Sequence, residues 1–287
     1  MKPASFVYHA PESVDEVLGL LSAGTGARIL AGGQSLVPMM KARAVKPSTV
    51  IDVNRVAGLA GIDLNDGALR IGALTRQQAL LDDEAVGRAQ PLLHAAGRYA
   101  GYLATRHRGT VGGSLAFAAP WAELTAAVVA LDAELEVRSA RGKRTVAARD
   151  FFRGPHETAL EPDELLTAVR IPAATPRTGA GFHEVSARYR DFAQVAAGAT
   201  VTVDEAGICT AAELVLLRVA PTPHRVDVVQ LVGTPVRDGE LEGIADLLAG
   251  LEPEDDIEVS GRYRKRVAVS LARRALRDAT ANARGAA

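Results

Sequence analysis

Helical and strand periodicities alternate along the chain, and Gly and Pro mark most of the switches. Ser13 with Glu16 makes a capping box, and Val14, Val17, Leu18 and Leu21 follow at helical spacing, which predicts a helix over about 13–23. Arg28-Ile29-Leu30-Ala31 reads as a short strand ending in Gly32-Gly33, and Thr49-Val50-Ile51-Asp52-Val53 as a second, after Pro38. Around Asn65-Asp66-Gly67 the flanks Gly61-Ile62-Asp63 and Leu69-Arg70-Ile71 read as a hairpin, because these turn residues tolerate positive φ. Thr75 with Gln78 predicts another capped helix. From Glu123 to Ala130 the run is apolar enough for a buried helix, and Glu134-Leu135-Glu136-Val137-Arg138 alternates as a strand.

Residues 165–171 predict a further strand stopped by Pro172, and 173–180, which follow that proline and hold Pro176 and Gly179, read as a linker. Beyond it lie strands at 195–203 and 208–219 and a long helix near 263–281. The pattern is α+β in two domains. A length of 287 residues agrees, since each domain then has enough chain to bury a core. No internal repeat or low-complexity tract interrupts it.

Composition narrows the chemistry. The net charge of −1 argues against nucleic acid as the main partner, because phosphate binding needs a surplus of Lys and Arg on at least one face. Cys209 is the only cysteine, which excludes disulfides within the chain, thiolate iron–sulfur clusters and multi-cysteine zinc sites. The opening Met1-Lys2-Pro3-Ala4-Ser5-Phe6 lacks the apolar core of a secretory signal, and no apolar run approaches the roughly 18 residues of a membrane span. A cytoplasmic location with no transmembrane segment is the expectation.

Two glycine-bearing segments carry candidate chemistry: Ala31-Gly32-Gly33-Gln34-Ser35-Leu36 after a strand, and Gly109-Thr110-Val111-Gly112-Gly113-Ser114-Leu115-Ala116. A pyrophosphate needs several converging backbone donors at short range, which paired glycines backed by Gln, Ser or Thr can supply. Either segment alone also reads as a plain tight turn. The dinucleotide fingerprint is not met, because Gly24-Thr25-Gly26 follows a helix and has Ile29 where a third glycine belongs. No Walker-type loop occurs.

Taken together, Ala31-Gly32-Gly33-Gln34-Ser35-Leu36, Arg106-His107-Arg108-Gly109-Thr110-Val111-Gly112-Gly113-Ser114, Glu164-Leu165-Leu166 closing in Ile171-Pro172, and Arg188 with Asp191-Phe192-Ala193 resemble the FAD-binding medium subunit of molybdenum hydroxylases, the carbon monoxide dehydrogenase and xanthine dehydrogenase family. The resemblance runs from Phe6 to the C-terminal helix. It implies a flavin domain of the vanillyl-alcohol-oxidase and p-cresol-methylhydroxylase (PCMH) type over 1–173, with α+β subdomains at about 1–57 and 58–173. A C-terminal domain over 178–287, with a three-stranded antiparallel sheet and helices, would follow. It further implies that Ile29, Leu30, Ala31, Gly32, Gly33, Gln34, Ser35 and Leu36 wrap the FAD pyrophosphate together with Thr110, Val111, Gly112, Gly113 and Ser114. Glu123 would meet the ribityl or ribose hydroxyls. Leu166, Phe192 and Ala100 would lie beside the flavin ring.

The partners implied are a small subunit with two 2Fe-2S clusters and a large molybdopterin subunit, in a dimer of heterotrimers. Electrons would pass through the clusters to FAD and on to a quinone, a soluble carrier, NAD⁺ or O₂. The chain departs from the family pattern at Ser114, where Asn is usual, at Phe117-Ala118-Ala119-Pro120, which replaces His-Ala-Asp-Pro, and at His183-Glu184, where a Lys often approaches the flavin. Other readings are a self-sufficient flavin oxidoreductase, a flavin-free scaffold, and a serine hydrolase. In the hydrolase reading Gly112-Gly113-Ser114-Leu115-Ala116 is the nucleophile elbow, and Asp150 or Asp163 with His156, His183 or His224 completes a triad. The six histidines are otherwise scattered. Tyr99-Ala100-Gly101-Tyr102 reads as core packing or a ring-stacking pair. Arg262-Tyr263-Arg264-Lys265-Arg266, with Arg273, Arg274 and Arg277, reads as a solvated helix face or a subunit contact.

Overall fold

A computed structural model describes residues 2–24 and 26–285. The first layer is β1 (Val7–His9), α1 (Val14–Ser22), β2 (Ala27–Leu30), α2 (Leu36–Lys41) and β3 (Thr49–Asp52), with the strands parallel in the order β1-β3-β2. Helix α1 starts where Ser13 Oγ accepts the Glu16 N–H, and the Glu16 carboxylate reaches back to the N–H of Glu12. Its stripe of Val17, Leu18 and Leu21 shares a core with Ile51, Val53 and Leu165.

The second layer is an antiparallel sheet in the order β4-β5-β10-β6-β7, from β4 (Ile62–Asn65), β5 (Ala68–Gly72), β6 (Glu134–Ser139), β7 (Gly142–Ala147) and β10 (Leu165–Pro172). Asp66 and Gly67 join β4 to β5 with φ of 50° and 68°, the positive values a two-residue hairpin turn requires. Between β5 and β6 come α3 (Ala79–Asp82), α4 (Glu84–Ala89), α5 (Pro91–Gly97), α6 (Leu103–Arg108), α7 (Val111–Phe117) and α8 (Glu123–Ala130). Thr75 does not cap a helix: its hydroxyl donates to the Gly61 carbonyl and accepts the Gly61 N–H, tying β5's exit to the preceding loop. Short α9 (Ala148–Phe151), β8 (Phe152–Gly154) and β9 (Glu157–Thr158) link β7 to β10.

The third layer is the antiparallel sheet β11 (Thr178–Ser186), β12 (Ala193–Val203), β13 (Cys209–Leu217) and β14 (His224–Val226), so three long strands are extended by a three-residue fourth. The predicted linker is therefore shorter than 173–180, because Thr178, Gly179 and Ala180 already pair with β12. Helices α10 (Asp238–Glu242) and α11 (Ile244–Leu247) precede α12 (Gly261–Gly285), which lies across this sheet. A Cβ on Gly179 or Gly181 would overlap the backbone of α12 at Ala279, Ala283 and Ala275, so both glycines serve helix–sheet approach.

Helices α5, α7 and α8 fill the space between the second and third sheets. The largest core joins Leu69, Ile71 and Leu135 to Leu92, Leu115 and Val128, and then to Phe182, Ala196 and Val215. Every residue of α8 is buried, which explains a helix apolar on all sides. Strand β12 is covered on both faces: Ala196 meets this core, while Val195, Ala197 and Val201 meet α12. In the basic stretch of α12, Arg262, Arg266, Arg274 and Arg277 are exposed as a solvated face would be, whereas Arg264 is buried. Arg264 is 3% exposed and donates to Asp256 and to the Gln194 and Glu254 carbonyls, Arg273 donates to the Leu241 and Glu242 carbonyls, and Arg277 pairs with Asp238. No helix among the described residues is long and apolar enough to cross a membrane.

Candidate functional site

The two glycine segments, far apart in sequence, pack directly on one another. A Cβ on Gly32 would overlap the Arg108 carbonyl and the Cα of Gly109, and one on Gly113 would sit 2.7 Å from Thr110 Oγ1 and 3.7 Å from the Ala31 Cβ. Gly112 approaches Ala73 so closely that it too admits no side chain, and its N–H donates to the Ala73 carbonyl at 2.8 Å. Gly33 adopts φ +73°, a conformation L side chains rarely take. The glycines are thus required for loop-on-loop contact as well as for an open approach.

A polar clamp holds that contact. Asn54 Nδ2 donates to the Ala31 carbonyl at 2.8 Å, and its Oδ1 accepts from Arg76 Nη2 at 2.8 Å. Arg76 Nη1 donates to the Arg108 carbonyl at 2.7 Å, and Asp52 Oδ1 accepts from both the Asn54 N–H and its amide. The Asn54 N–H, the Tyr8 hydroxyl and the Asn54 amide hold Asp52 below the usual carboxylate range although partial burial opposes them. Thr110 caps α7 by accepting the Gly113 N–H at 3.0 Å. Among the described residues none accepts a hydrogen bond from the backbone N–H of Gly33, Gln34, Ser35 or Leu36. Burial, and after it the nearby Arg108 charge, lower the Arg76 pKa, and the opposite charge of an anion at these loops would act against both by favouring the charged guanidinium.

A second group lies beyond the far end of α7. Phe117 is 4.5 Å from the His156 ring, His156 is 5.6 Å from Trp121, and Trp121 is 4.7 Å from Phe192, with the Arg218 guanidinium 5.9 Å from Trp121. Phe192 is 63% exposed. Glu123, 8% exposed at the first position of α8, and Glu184 of β11, whose Oε2 is buried without a hydrogen-bond partner among the described residues, influence one another's ionisation. Burial pushes both carboxyls up, Glu123 to about 7 and Glu184 to about 8. Ala100 and Leu166 are both 5% exposed, and Leu166 is part of the main core beside the bulge of β10 at Thr167. Tyr99 packs 5.4 Å from Phe182, so of the Tyr99–Tyr102 pair only Tyr102 is exposed.

The structure therefore gathers residues 29–36 and 110–114 into one cradle, and Glu123 and Phe192 into a second group joined to it by α7. Asn54, Arg76, Trp121 and the partnership of Glu123 with Glu184 were missed from sequence. Asn54 and Arg76 each lie beside a recognised segment, but only the fold brings them to the same carbonyls. The hydrolase reading fails on geometry. Ser114 lies within α7, and helix α6 precedes that segment where a nucleophile elbow needs a strand. His183 is spent on Asp278 at 2.7 Å, and His156 on the Phe117 carbonyl.

Two family models cover this architecture: the FAD-binding domain in molybdopterin dehydrogenase over residues 4–174, and the CO dehydrogenase flavoprotein C-terminal domain over 180–279. The chain is 34% identical to the carbon monoxide dehydrogenase medium chain of Afipia carboxidovorans over 99% of its length and 100% of that chain. It is 35% identical to subunit alpha of the 6-hydroxypseudooxynicotine dehydrogenase complex of Paenarthrobacter nicotinovorans, covering 99% and 97%. A solved carbon monoxide dehydrogenase from Hydrogenophaga pseudoflava superposes with a TM-score of 0.94 at 33% identity, covering 98% of this chain and 99% of that one. The chain belongs to the FAD-binding medium subunits of the molybdenum hydroxylases, a family of oxidoreductase subunits. Its free loop donors, its glycine cradle and the Arg76–Arg108 cations fit that dianionic cofactor.

Proposed function

We propose that this chain is the FAD-carrying electron-transfer subunit of a molybdenum-dependent dehydrogenase, taking electrons from 2Fe-2S clusters of a small partner and delivering them to an external acceptor. The large molybdopterin partner would oxidise the substrate. One observation carries this reading: the two glycine loops are locked together while the N–H groups of 33–36 point to no protein acceptor. FAD, when bound, supplies two-electron acceptance and stepwise release to the next carrier.

In this reading residues 29–36 and 110–114 hold the pyrophosphate, with Arg76 and Arg108 supplying positive potential. Glu123 accepts from the ribityl or ribose hydroxyls, Leu166 and Ala100 shape the ring's apolar side, and Phe192, braced by Trp121, covers an open face. The flavin domain would span 1–173 and the C-terminal domain 178–287. The exposed surface around Phe192 and Tyr189 would then lie where electrons leave or enter. The chain's own part is to position the ring, tune its potential and control access.

The test is an absorbance spectrum of the natively purified protein, with mass spectrometry of everything that co-purifies. Flavin bands together with one small iron–sulfur chain and one large molybdenum chain are expected. A folded protein that stays colourless after FAD addition would sink the reading.

A further inference from the structure

Strand β11 is the outer strand of the third sheet and pairs with β12 along its whole length. Two bonds tell its inner side from its outer. The Val203 N–H donates to the Arg177 carbonyl in line with the register of Thr178 on Thr202, so odd-numbered residues of β11 turn their backbone groups toward β12. Even-numbered residues turn theirs outward, as the Asn282 amide shows by donating to the Ala180 carbonyl at 2.8 Å. That outward edge borders a groove of about 790 Å³, lined along β11 by residues 178–184 and walled by Arg98 of α5 on one side and by Asp278 and Asn282 of α12 on the other. No residue of 29–36 or 110–114 lines it, nor does Phe192, so the groove is distinct from the flavin cradle.

Ala180 and Phe182 are only 6% and 4% exposed, yet among the described residues no group beyond β12 accepts from their N–H groups or donates to the Phe182 carbonyl. Buried backbone donors and acceptors are nearly always paired, so this row calls for a partner. Natural sheet edges are commonly guarded by Lys, Pro or a bulge. From Thr178 to Glu184 this edge carries none of them, and its one register shift falls at Val185–Ser186. Donors and acceptors that recur on every second residue match another extended backbone. A second copy of this sheet would bring its own α5 and α12 against these walls, whereas a single extended segment has no such flanks.

The charge of the walls defines what that segment carries. Asp278 is taken by His183, and Glu184 buries its Oε2. Arg98 of α5 and Arg274 of α12 are exposed and hold positive charge close to Tyr99, which also lines the groove. Neither has a carboxylate within ion-pair distance among the described residues. Arg190 adds a cation at the groove's end, where it reaches the Gly101 carbonyl at 3.4 Å. We propose that the β11 edge is a docking site for an extended acidic segment of a partner chain, which adds as a fifth strand beside Ala180, Phe182 and Glu184. Successive side chains of that strand face α5 and α12 in turn, so two adjacent acidic residues meet Arg98 and Arg274.

The test titrates the full chain with the peptide Thr-Val-Glu-Glu-Val-Thr, takes Thr-Val-Lys-Lys-Val-Thr as control, and follows amide hydrogen exchange residue by residue. In the free chain the N–H groups of Ala180, Phe182 and Glu184 should exchange fast, and those of Gly181 and His183, held by β12, slowly. The acidic peptide should slow the even-numbered set about tenfold and leave the odd-numbered set unchanged, an alternation that general tightening of the fold would not give. The lysine peptide should do neither. Ala180→Pro removes one outward donor, spares the ladder to β12, and should weaken binding of the acidic peptide about tenfold. Should that variant fail to fold, Arg98→Glu, at an exposed position, must weaken the acidic peptide in its place. Even and odd amides that respond alike, equal binding of both peptides, or a natively purified assembly in which Ala180 and Phe182 exchange as fast as in the free chain would overturn the proposal. A chain that purifies alone and without flavin would refute the function proposed above, and the peptide titration would still decide this one.

Discussion

At the scale of single residues the cradle turns on whether a Cβ can be admitted. Gly113→Val would drive a methyl into Thr110 Oγ1, 2.7 Å from where the Cβ must sit, breaking the cap on α7 and pushing Ala31 away. The cap alone is worth about 1 kcal/mol. The displaced loops should leave no measurable flavin in the purified protein. Gly33→Val should do the same through its φ of +73°. Ser114→Ala removes one hydroxyl and leaves the backbone cradle intact, so it should weaken FAD about three- to tenfold, an ordinary hydrogen bond's share. Flavin content and fluorescence-quenching titrations read all three; equal retention by the glycine variants would refute the loop assignment. This logic was half legible in sequence. Paired glycines announce a close approach, but that the approach is to the other loop could not be read without the fold.

At the scale of elements the clamp makes β2, β3 and α6 a single support. Asn54→Ala would release the Ala31 carbonyl and Arg76 together, leaving two partly buried polar partners unsatisfied. A destabilisation of about 1–3 kcal/mol is expected, with weaker FAD binding than Ser114→Ala gives, because the loops part instead of losing one donor. Thermal melting alongside the FAD titration checks both. Features closed by local contacts were legible: Asp66-Gly67 dictates its own hairpin, Ser13 and Glu16 mark α1, and the apolar run of α8 announces complete burial. Features closed by distant contacts were not. Thr75 carries a capping signature, yet its hydroxyl is taken by Gly61. Gly179 falls in the predicted linker because small residues mark loops, but here it and Gly181 let α12 lie against β11. Arg264 looks solvated because arginines usually are, whereas Asp256 and two carbonyls draw it inward.

At the scale of the whole molecule two sets of carboxyls pull stability in opposite directions with pH. Asp256 accepts from the N–H groups of Val259 and Glu258 and from Arg264, which hold it below its ordinary range against the cost of burial. Glu164 is lowered chiefly by its bond to Arg144. The stabilisation these two supply is complete above their unfolded values, about 4, and is lost as pH falls further. Glu123 and Glu184 are raised, so theirs is complete below about 4 and drains away as pH climbs through about 7 and about 8. The two limbs cross where the unfolded carboxyls titrate, and the melting temperature of the flavin-free protein should peak at about pH 4 rather than at neutrality. Asp256→Asn separates the limbs. It strips Arg264, 3% exposed, of its counter-anion, and takes the Arg218 partner with it. Allowing for the partial exposure of Asp256 itself, the peak should drop by about 1–3 kcal/mol. The acid limb should flatten while the alkaline limb keeps its slope. A variant that lost both limbs together would mean that the α12 anchor and the interdomain carboxyl pair melt as one cooperative unit whose pH response is set elsewhere.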